Sequence, residues 1–425
     1  MALFVFTCAI GNAVLLARES SPRLGLDFIA FYTAGTFVRE GRANEFYDLK
    51  AVVAYQESLA KELGTDLGGG FGPWWNPPHY ALVFVPFSLL PFQSAVHAWV
   101  AVNLVAVGMA IWLMARMLPR EAGWRTWGLV PLLVLASTPF ILLVSHGQNT
   151  GTSLLIVALV VTAWRAERGF MAGLVLGLLF YKPQLATVLA VVLVLDRGWR
   201  AAAGVATTGF LLLLLTQLML PGSIGDFLRR LPENLHAMQV GREYMWERHV
   251  TIKAFWRLLL QGRGPGEMAA LTTGLTLACT AFVGCGLLAA IYRRRHPQPN
   301  NTMQRDRLIG ATVVCMPLVM PFYFDYDLLL LSIPAVLWAA EVVESSSGAT
   351  HDTTRTLERR EHWMLAAFVV LFVWLMVANH VTAQMRFNLT VPLVAVIASV
   401  SIARAVRSDA TPVEATEMIP LAAAA

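Results

Sequence analysis

Residues 26–48, with the sequence "LDFIAFYTAGTFVREGRANEFYD", are the segment around which the rest of the chain is organised. They directly follow a first apolar run and open with the carboxylate of Asp27. An aromatic cluster, a glycine turn and a second acidic end at residues 47–48 come after it. A polar, amphipathic segment that carries an acid just outside an apolar run predicts chemistry at a bilayer surface.

The composition predicts an all-α integral membrane protein. The 425 residues are 57% hydrophobic and only 14% charged, with a mean hydropathy of +0.59, whereas soluble domains carry about 25% charged residues. Several runs are long enough to cross roughly 30 Å of hydrocarbon as helices. Spanning segments must bond their own backbone groups, which leaves helices or a closed barrel. The runs are uniformly apolar rather than alternating, so we expect helices.

The net charge of +5 is spread over loops and suits anionic lipid headgroups better than nucleic acid. The chain therefore predicts membrane lipids as partners and no nucleic acid. The cysteines stand inside apolar runs, where they act as small hydrophobic residues rather than as a disulfide or metal framework; they are Cys8, Cys279, Cys285 and Cys315.

The apolar runs predict about twelve spans in one polytopic domain, residues 1–406, followed by a disordered tail, residues 407–425. The predicted spans are 2–17, 74–84, 95–118, 127–145, 150–164, 170–195, 201–220, 268–292, 308–322, 326–341, 363–379 and 389–406. This threading puts both termini on the cytoplasmic side. The arginines that share this side are Arg293–Arg295, Arg305, Arg307, Arg359, Arg360, Arg404 and Arg407. It leaves two large extracytoplasmic loops, residues 18–76 and 221–267. Helical patterns fall at 28–40 and 49–63 of the first loop.

One conflict remains in this threading. It places Arg116, Arg120, Arg165 and Arg168 outside, against the rule that basic loops face the cytoplasm. Splitting residues 170–195 at Pro183 into a hairpin would relieve the conflict for Arg165 and Arg168, but it would break the overall parity of the spans unless another segment is re-entrant.

Five motifs in register carry a resemblance. They are "DFIAFYTAG" (27–35), "NPPHYALVFVPFSLLP" (76–91), "SHGQNTGTSLL" (145–155), "AGLVLGLLFYKPQ" (172–184) and "PFYFDYDLLLLSIP" (321–334). Together they resemble the polytopic glycosyltransferases of the GT-C superfamily. More closely, the chain is similar to glycosyltransferase family 87, the α-1,2-mannosyltransferase-like group, whose architecture implies a bundle of about twelve transmembrane helices with two large extracytoplasmic loops.

The resemblance implies an inverting transfer in the inner membrane, with the active site on the extracytoplasmic side. The donor would be a polyprenyl-phosphate sugar and the acceptor a lipid-linked or cell-envelope glycan, with no cofactor and no metal. The general base of the family is an acid in the first extracytoplasmic loop, which by position is Asp27. The better-known mannosyltransferases carry a His-His-Trp motif where this chain has "MPFYFDYD" (320–327). Tyr326 and Asp327 replace those histidines, so the donor sugar is mannose or another sugar.

Asp27 and Lys182 each have a structural alternative to their functional role. Asp27 can take a proton from an acceptor hydroxyl, or it can cap the helix that follows it. Lys182 lies in an apolar run beside Pro183, where a charge at membrane depth indicates function and could compensate a lipid phosphate. It could instead extend its charge to the interface from a helix break.

The second loop mixes basic and aromatic residues, which is typical of an amphipathic helix against headgroups. Arg248 and His249 precede an apolar helix and are its best candidates for contact with a substrate phosphate. Asp325 and Asp327 form a D-x-D pattern that could hold a metal, although two carboxylates are few ligands for a hard cation and either could serve the following helix start. Gln148 fits a turn and His79 a helix start, or each could contact substrate.

The residues therefore predict a membrane glycosyltransferase. The rival interpretation is a transporter or flippase of a lipid-linked sugar, which an intramembrane lysine at a broken helix would also suit. A non-catalytic partner in envelope assembly is a third.

Overall fold

The computed structural model describes residues 27–64, 70–120, 122–295, 301–347 and 359–407. Of the first 26 residues it describes only Thr7, Ile10, Gly11, Val14 and Gly25, so the predicted first span lies almost wholly outside the described residues. The predicted tail lies outside them as well, apart from residue 407.

These residues fold into helices, and within them the structure contains no β-strand beyond one isolated bridge, between His249 and Phe324. The α-helices are α1 (Phe28–Arg39), α2 (Leu49–Glu62), α3 (Phe92–Ala115), α4 (Trp124–Leu135), α5 (Thr138–His146), α6 (Thr150–Arg165), α7 (Gly169–Gly177), α8 (Pro183–Arg197), α9 (Trp199–Met219), α10 (Ser223–Val240), α11 (Ile252–Gln261), α12 (Ala270–Arg295), α13 (Asn301–Val319), α14 (Ser332–Ser347), α15 (Arg359–Gln384) and α16 (Thr390–Val406).

Five helical segments of the described chain are long and apolar enough to cross a membrane: Phe92–Ala115, Trp199–Met219, Ala270–Arg295, Asp325–Glu344 and Glu361–Asn379. The pair Trp127–Leu135 and Thr138–His146, bent by 51°, makes a sixth if it counts as one span. Ser137 and Pro139 lie at this bend. The helix bends here because a proline cannot continue the hydrogen-bond ladder of the preceding helix. The count of twelve spans stays a prediction.

Helices α7 and α9 pack at backbone contact because small residues face each other. A Cβ on Gly173 would lie 2.1 Å from the Ala201 carbonyl oxygen, and one on Gly204 would lie 2.1 Å from that of Phe170. Thr208 donates a hydrogen bond of 2.7 Å to the Leu174 carbonyl across the same seam. Such small-residue seams are how helices associate where lipid gives no hydrophobic drive. The outer face of α9 exposes large apolar residues, as a lipid-facing surface does.

The described helices run between two ends of the bundle. One, the arginine end, contains Arg165, whose side chain lies 3.0 Å from the carboxylate of Asp306. Arg305 donates a 2.7 Å hydrogen bond to the Arg165 carbonyl. Residues 165 and 305 therefore share an end, and the threading that placed them on opposite faces is wrong.

The segment 169–197 is a hairpin rather than one kinked helix. Arg197 returns to Glu167 and donates a 3.1 Å hydrogen bond to its carbonyl, while Lys182 forms the turn at the opposite tip. The prediction that residues 74–84 span the membrane is wrong as well. This second error offsets the first in the number of membrane crossings. The segment forms a 3-10 helix, Pro78–Phe84, so close to α1 that a Cβ on Gly35 would lie 2.4 Å from the Phe84 carbonyl oxygen.

The two helices predicted in the first loop are confirmed within a residue at either end. Asp48 caps α2, accepting from the backbone amides of Lys50 and Ala51. Helix α1, expected to be amphipathic, is instead buried on every side from residue 28 to 37. Aromatic rings enclose it, among them the Phe31–Phe84 pair, stacked with centroids 4.8 Å apart.

Candidate active site

The turn that follows α5 fixes the position of Asp27. The Asp27 amide donates to the His146 carbonyl at 3.1 Å, and the Gly25 amide donates to the Ser145 carbonyl at 3.0 Å. Gly147 makes this turn with a φ of 66°, and a Cβ there would lie 2.9 Å from the Cβ of Phe28. Only glycine combines this left-handed backbone with such close contact.

The carboxylate of Asp27 does not cap α1. No side-chain hydrogen bond caps that helix. Instead, Gln148 donates from Nε2 to Oδ2 of Asp27 at 2.7 Å. The capping alternative for Asp27 is therefore wrong. Gln148 belongs to the turn and is itself buried, while Asp27 is half-buried.

Arg248 brings a positive charge into the same region. Its Nε and Nη2 donate to the two carboxylate oxygens of Asp325 at 3.3 and 3.2 Å. Burial alone would lower the pKa of Arg248, but the carboxylates of Asp325 and Asp27 raise it above its usual value. The Val250 amide donates to the Tyr323 carbonyl at 2.8 Å and so anchors the loop that carries Arg248.

Lys182 and Asp327 form a buried ion pair at the tip of the α7–α8 hairpin. Nζ lies 2.8 and 3.1 Å from the two carboxylate oxygens, and Thr150 donates to one of them at 2.8 Å. Both charged side chains are less than a tenth exposed. Lys182 therefore does not extend to an interface, and its charge is balanced within the protein.

The ring of Tyr326 lies near both cations. Its centroid is 5.3 Å from Nζ of Lys182 and 5.9 Å from Cζ of Arg248, within the range of cation–π attraction. Phe324 stacks on it with centroids 5.3 Å apart. The Tyr326 hydroxyl makes no hydrogen bond to any described residue, and Asp27 lies close enough to interact with it electrostatically.

Asp325 and Asp327 turn to different basic partners, Arg248 and Lys182. The D-x-D pattern thus places its two carboxylates in separate ion pairs. Across the described ranges no group of three or more His, Cys, Asp or Glu side chains is placed to hold a metal ion.

Among the described residues, neither predicted histidine forms a hydrogen bond with Asp27. His249 is buried, accepts or donates at Nε2 to the Tyr244 hydroxyl over 2.9 Å, and packs its ring 4.1 Å from that of Phe324. Burial, then the charges of Arg248 and Lys253, lower the pKa of His249 to about 3. Burial lowers the pKa of His79 to about 4, and its Nε2 has no hydrogen-bond partner among the described residues.

Sequence reasoning did not single out His146. Its Nδ1 lies 3.1 Å from the Leu142 carbonyl oxygen, and Asp27, Arg248 and Asp325 are close enough to interact with it electrostatically. The available signal was its place in "SHGQNTG", two residues before Gln148.

Two buried tyrosines were also missed, each beside a residue that was selected. Tyr80 follows His79, and Tyr181 precedes Lys182. Their rings stack with centroids 4.3 Å apart. The Tyr80 hydroxyl accepts from Asn149 at 3.1 Å. This stacked pair therefore connects the turn of Gln148, through Asn149, with the turn of Lys182, which follows Tyr181.

Comparison with known proteins gives one match. The sequence model of glycosyltransferase family 87 matches residues 74–321, more than half of the chain. The matched range contains Gln148, Lys182 and Arg248, whereas Asp27 precedes it and Asp325 follows it. No curated protein and no solved structure matches the chain.

Proposed function

The chain belongs to glycosyltransferase family 87 and is therefore a membrane glycosyltransferase, and we propose that Asp27 is its general base. The sugar would pass from a polyprenyl-phosphate donor to a lipid-linked or cell-envelope glycan, with inversion at the anomeric carbon. The observation that carries this proposal is the carboxylate of Asp27, which is held by Gln148 and not by the backbone of its own helix.

The reaction needs three things of the protein. A base must remove the proton of the acceptor hydroxyl as its oxygen bonds to the anomeric carbon, and Asp27 fills this role. The bond from that carbon to the phosphate oxygen breaks, and the phosphate leaves with the electron pair. Arg248 stabilises the charge that develops on the phosphate, because its own pKa stays raised beside Asp325 and Asp27. Water takes the proton from Asp27 afterwards.

Lys182 has a supporting role in this proposal. Its ammonium forms a buried ion pair with Asp327. The pair holds the segment that contains Tyr326 in place and adds no net charge to the site. Tyr326 would contact the donor sugar, because its hydroxyl has no hydrogen bond to any described residue. This position is where the resemblance placed histidines in mannosyltransferases, and the donor is mannose or another sugar accordingly.

The distribution of arginines supports an extracytoplasmic site. The arginine end gathers basic side chains from five helices of the described chain, namely Arg165, Arg197, Arg294, Arg305, Arg307 and Arg404. Basic residues at membrane ends face the cytoplasm. The candidate site lies at the other tips of α5, α6 and the α7–α8 hairpin, which then face the extracytoplasmic side of the inner membrane.

Purified protein in sealed proteoliposomes tests the proposal. A panel of polyprenyl-phosphate sugars is supplied with an extracted pool of lipid-linked glycans, and product formation and lipid movement are followed together. We expect transfer of one sugar with inverted anomeric configuration. Movement of the labelled lipid across the bilayer with no transfer of any sugar would replace the enzyme by a transporter or flippase.

A further inference from the structure

His146 ends α5 beside the proposed base, and its side chain has no role in the reaction described so far. The Asp27 amide donates to the His146 carbonyl at 3.1 Å, so their backbones hold the two residues together. The imidazole of His146 is half-buried, and it interacts electrostatically with Arg248, Asp27 and Asp325. The ring therefore lies among the charged groups of the candidate site.

The contacts of Nδ1 determine which ring nitrogen of His146 carries the proton. Nδ1 lies 3.1 Å from the carbonyl oxygen of Leu142, which can only accept a hydrogen bond, and 3.1 Å from Oγ of Ser145. The neutral ring therefore carries its proton on Nδ1, and Nε2 is left as an acceptor. Nε2 makes no hydrogen bond to any described residue, so it can receive a hydroxyl group of a ligand.

The carboxylate of Asp27 offers a second free acceptor. Gln148 donates to Oδ2 of Asp27 at 2.7 Å, whereas Oδ1 makes no hydrogen bond within the described part of the chain. A sugar carries hydroxyl groups on neighbouring carbons, and each hydroxyl can donate one hydrogen bond. Two acceptors on residues that are joined by a backbone hydrogen bond therefore suit two neighbouring hydroxyls, one of which reacts at Asp27.

The charges of the site assign the imidazole to the acceptor sugar rather than to the donor phosphate. A lone pair on a neutral ring does not attract a phosphate, whereas a guanidinium does. Arg248 binds Asp325 through Nε and Nη2, and its Nη1 makes no hydrogen bond to a described residue. The cation thus keeps a donor for the phosphate, and Nε2 of His146 remains for a hydroxyl.

We propose that Nε2 of His146 accepts a hydrogen bond from the hydroxyl that neighbours the reacting hydroxyl of the acceptor sugar. His146 is then a specificity-determining residue that positions the acceptor, and the enzyme requires hydroxyl groups on two adjacent carbons. The inference rests on the proposed function and names the feature of the acceptor that the site recognises.

Deoxy analogues of an acceptor test this role. The probes are hexyl glucoside, hexyl galactoside and hexyl mannoside, and the best substrate among them is compared with its monodeoxy analogues. The analogue that gives no product marks the reacting hydroxyl. Wild-type protein, His146→Ala and Val144→Ala are assayed with the polyprenyl-phosphate sugar that wild type uses. Val144→Ala is the matched control, because Val144 is a half-buried residue of the same helix with an apolar side chain.

We expect one analogue, which lacks a hydroxyl beside the reacting one, to lose about tenfold in kcat/KM with wild type, as for one hydrogen bond. His146→Ala should lose about tenfold with the parent hexoside and show no further loss with that analogue. Val144→Ala should keep both wild-type values. A purely structural effect of His146→Ala would lower both rates equally. An unchanged ratio of parent to analogue in His146→Ala therefore overturns the assignment.

Direct binding of the same hexyl hexosides, measured by calorimetric titration, separates this inference from the function. If wild type transfers no sugar but binds the parent more tightly than one deoxy analogue, and His146→Ala binds the two alike, the assignment of His146 holds while the function falls. If wild type binds no hexoside, or binds the parent and every analogue alike, the assignment is wrong.

Discussion

At the scale of single residues, Gln148 is the group that prepares Asp27. It is buried and donates a 2.7 Å hydrogen bond to the Asp27 carboxylate, so the acid keeps one orientation. We expect Gln148→Leu to lower kcat by about 10- to 100-fold, the value of a hydrogen bond to a charged group. The donor KM should stay near that of wild type. Unchanged kcat would show that this bond does not position the base.

The Lys182–Asp327 pair gives a stability prediction. Removing one member leaves a buried charge without its partner, so Lys182→Met should cost about 3–5 kcal/mol. Replacing both members, as Lys182→Met with Asp327→Leu, should recover most of that loss. Thermal unfolding in detergent measures both variants. A double variant as unstable as the single one would contradict the pairing.

His249 makes stability depend on pH. Its pKa is lowered to about 3 in the folded protein, against about 6.5 when unfolded. Below pH 6.5 the imidazole of His249 therefore binds a proton in the unfolded chain but not in the folded protein. Stability falls as the pH drops from 6.5 toward 3, by about 1.4 kcal/mol per unit. His249→Gln should show a shallower fall in Tm between pH 6.5 and 4. An unchanged slope would mean that another group is responsible.

At the scale of elements, the seam of α7 and α9 fixes the hairpin that carries Lys182. Gly173→Ala would bring a Cβ to 2.1 Å from the Ala201 carbonyl oxygen, so the helices must separate, and Tm and activity should fall together. The matched control is Gly108→Ala, because a Cβ on that helical glycine meets nothing within 4 Å. Alanine should there be neutral or stabilising by up to about 1 kcal/mol. Equal effects of the two substitutions would contradict the close packing of α7 on α9 at Gly173.

Elements also show what apolar patterns can predict. Pro183 and Pro77 both lie in segments that the sequence analysis assigned to spans. The first is the turn of a hairpin and the second opens a 3-10 helix under α1. Proline marks a break but does not say whether the chain reverses, because that depends on contacts with distant partners such as Asp327 and Phe31.

The same limit applies to the candidate site: the sequence can indicate its residues but not the distant partners that they contact. Gln148, Lys182 and Arg248 were selected as charged or polar groups next to apolar runs, whereas Asp27 as the base and Tyr326 with Asp327 came from the family resemblance. The structure brings all six residues to one end of the bundle. Their pairing could not be predicted, because Lys182 and Asp327 are 145 positions apart. His146 escaped notice because a histidine at a helix end is unremarkable until Asp27 is seen beside it.

At the scale of the whole molecule, the arginine end and the end that carries the candidate site lead to a prediction of the membrane topology. In a background without native cysteines, Lys61→Cys places a thiol on the first loop and Arg168→Cys places one at the arginine end, both at exposed positions. A membrane-impermeant thiol reagent added to intact spheroplasts should label residue 61 and leave residue 168 unlabelled until the membrane is opened. Labelling of residue 168 alone would invert the orientation.

The central claim is that Asp27 takes the proton, and single-turnover transfer by Asp27→Asn tests it most directly. Asp48→Asn is the matched control, because Asp48 lies in the same loop but caps α2, a role that asparagine also fills. We predict that Asp27→Asn binds the polyprenyl-phosphate donor like wild type but forms product at least about 100-fold more slowly, while Asp48→Asn keeps its rate. Transfer by Asp27→Asn at the wild-type rate would contradict the account.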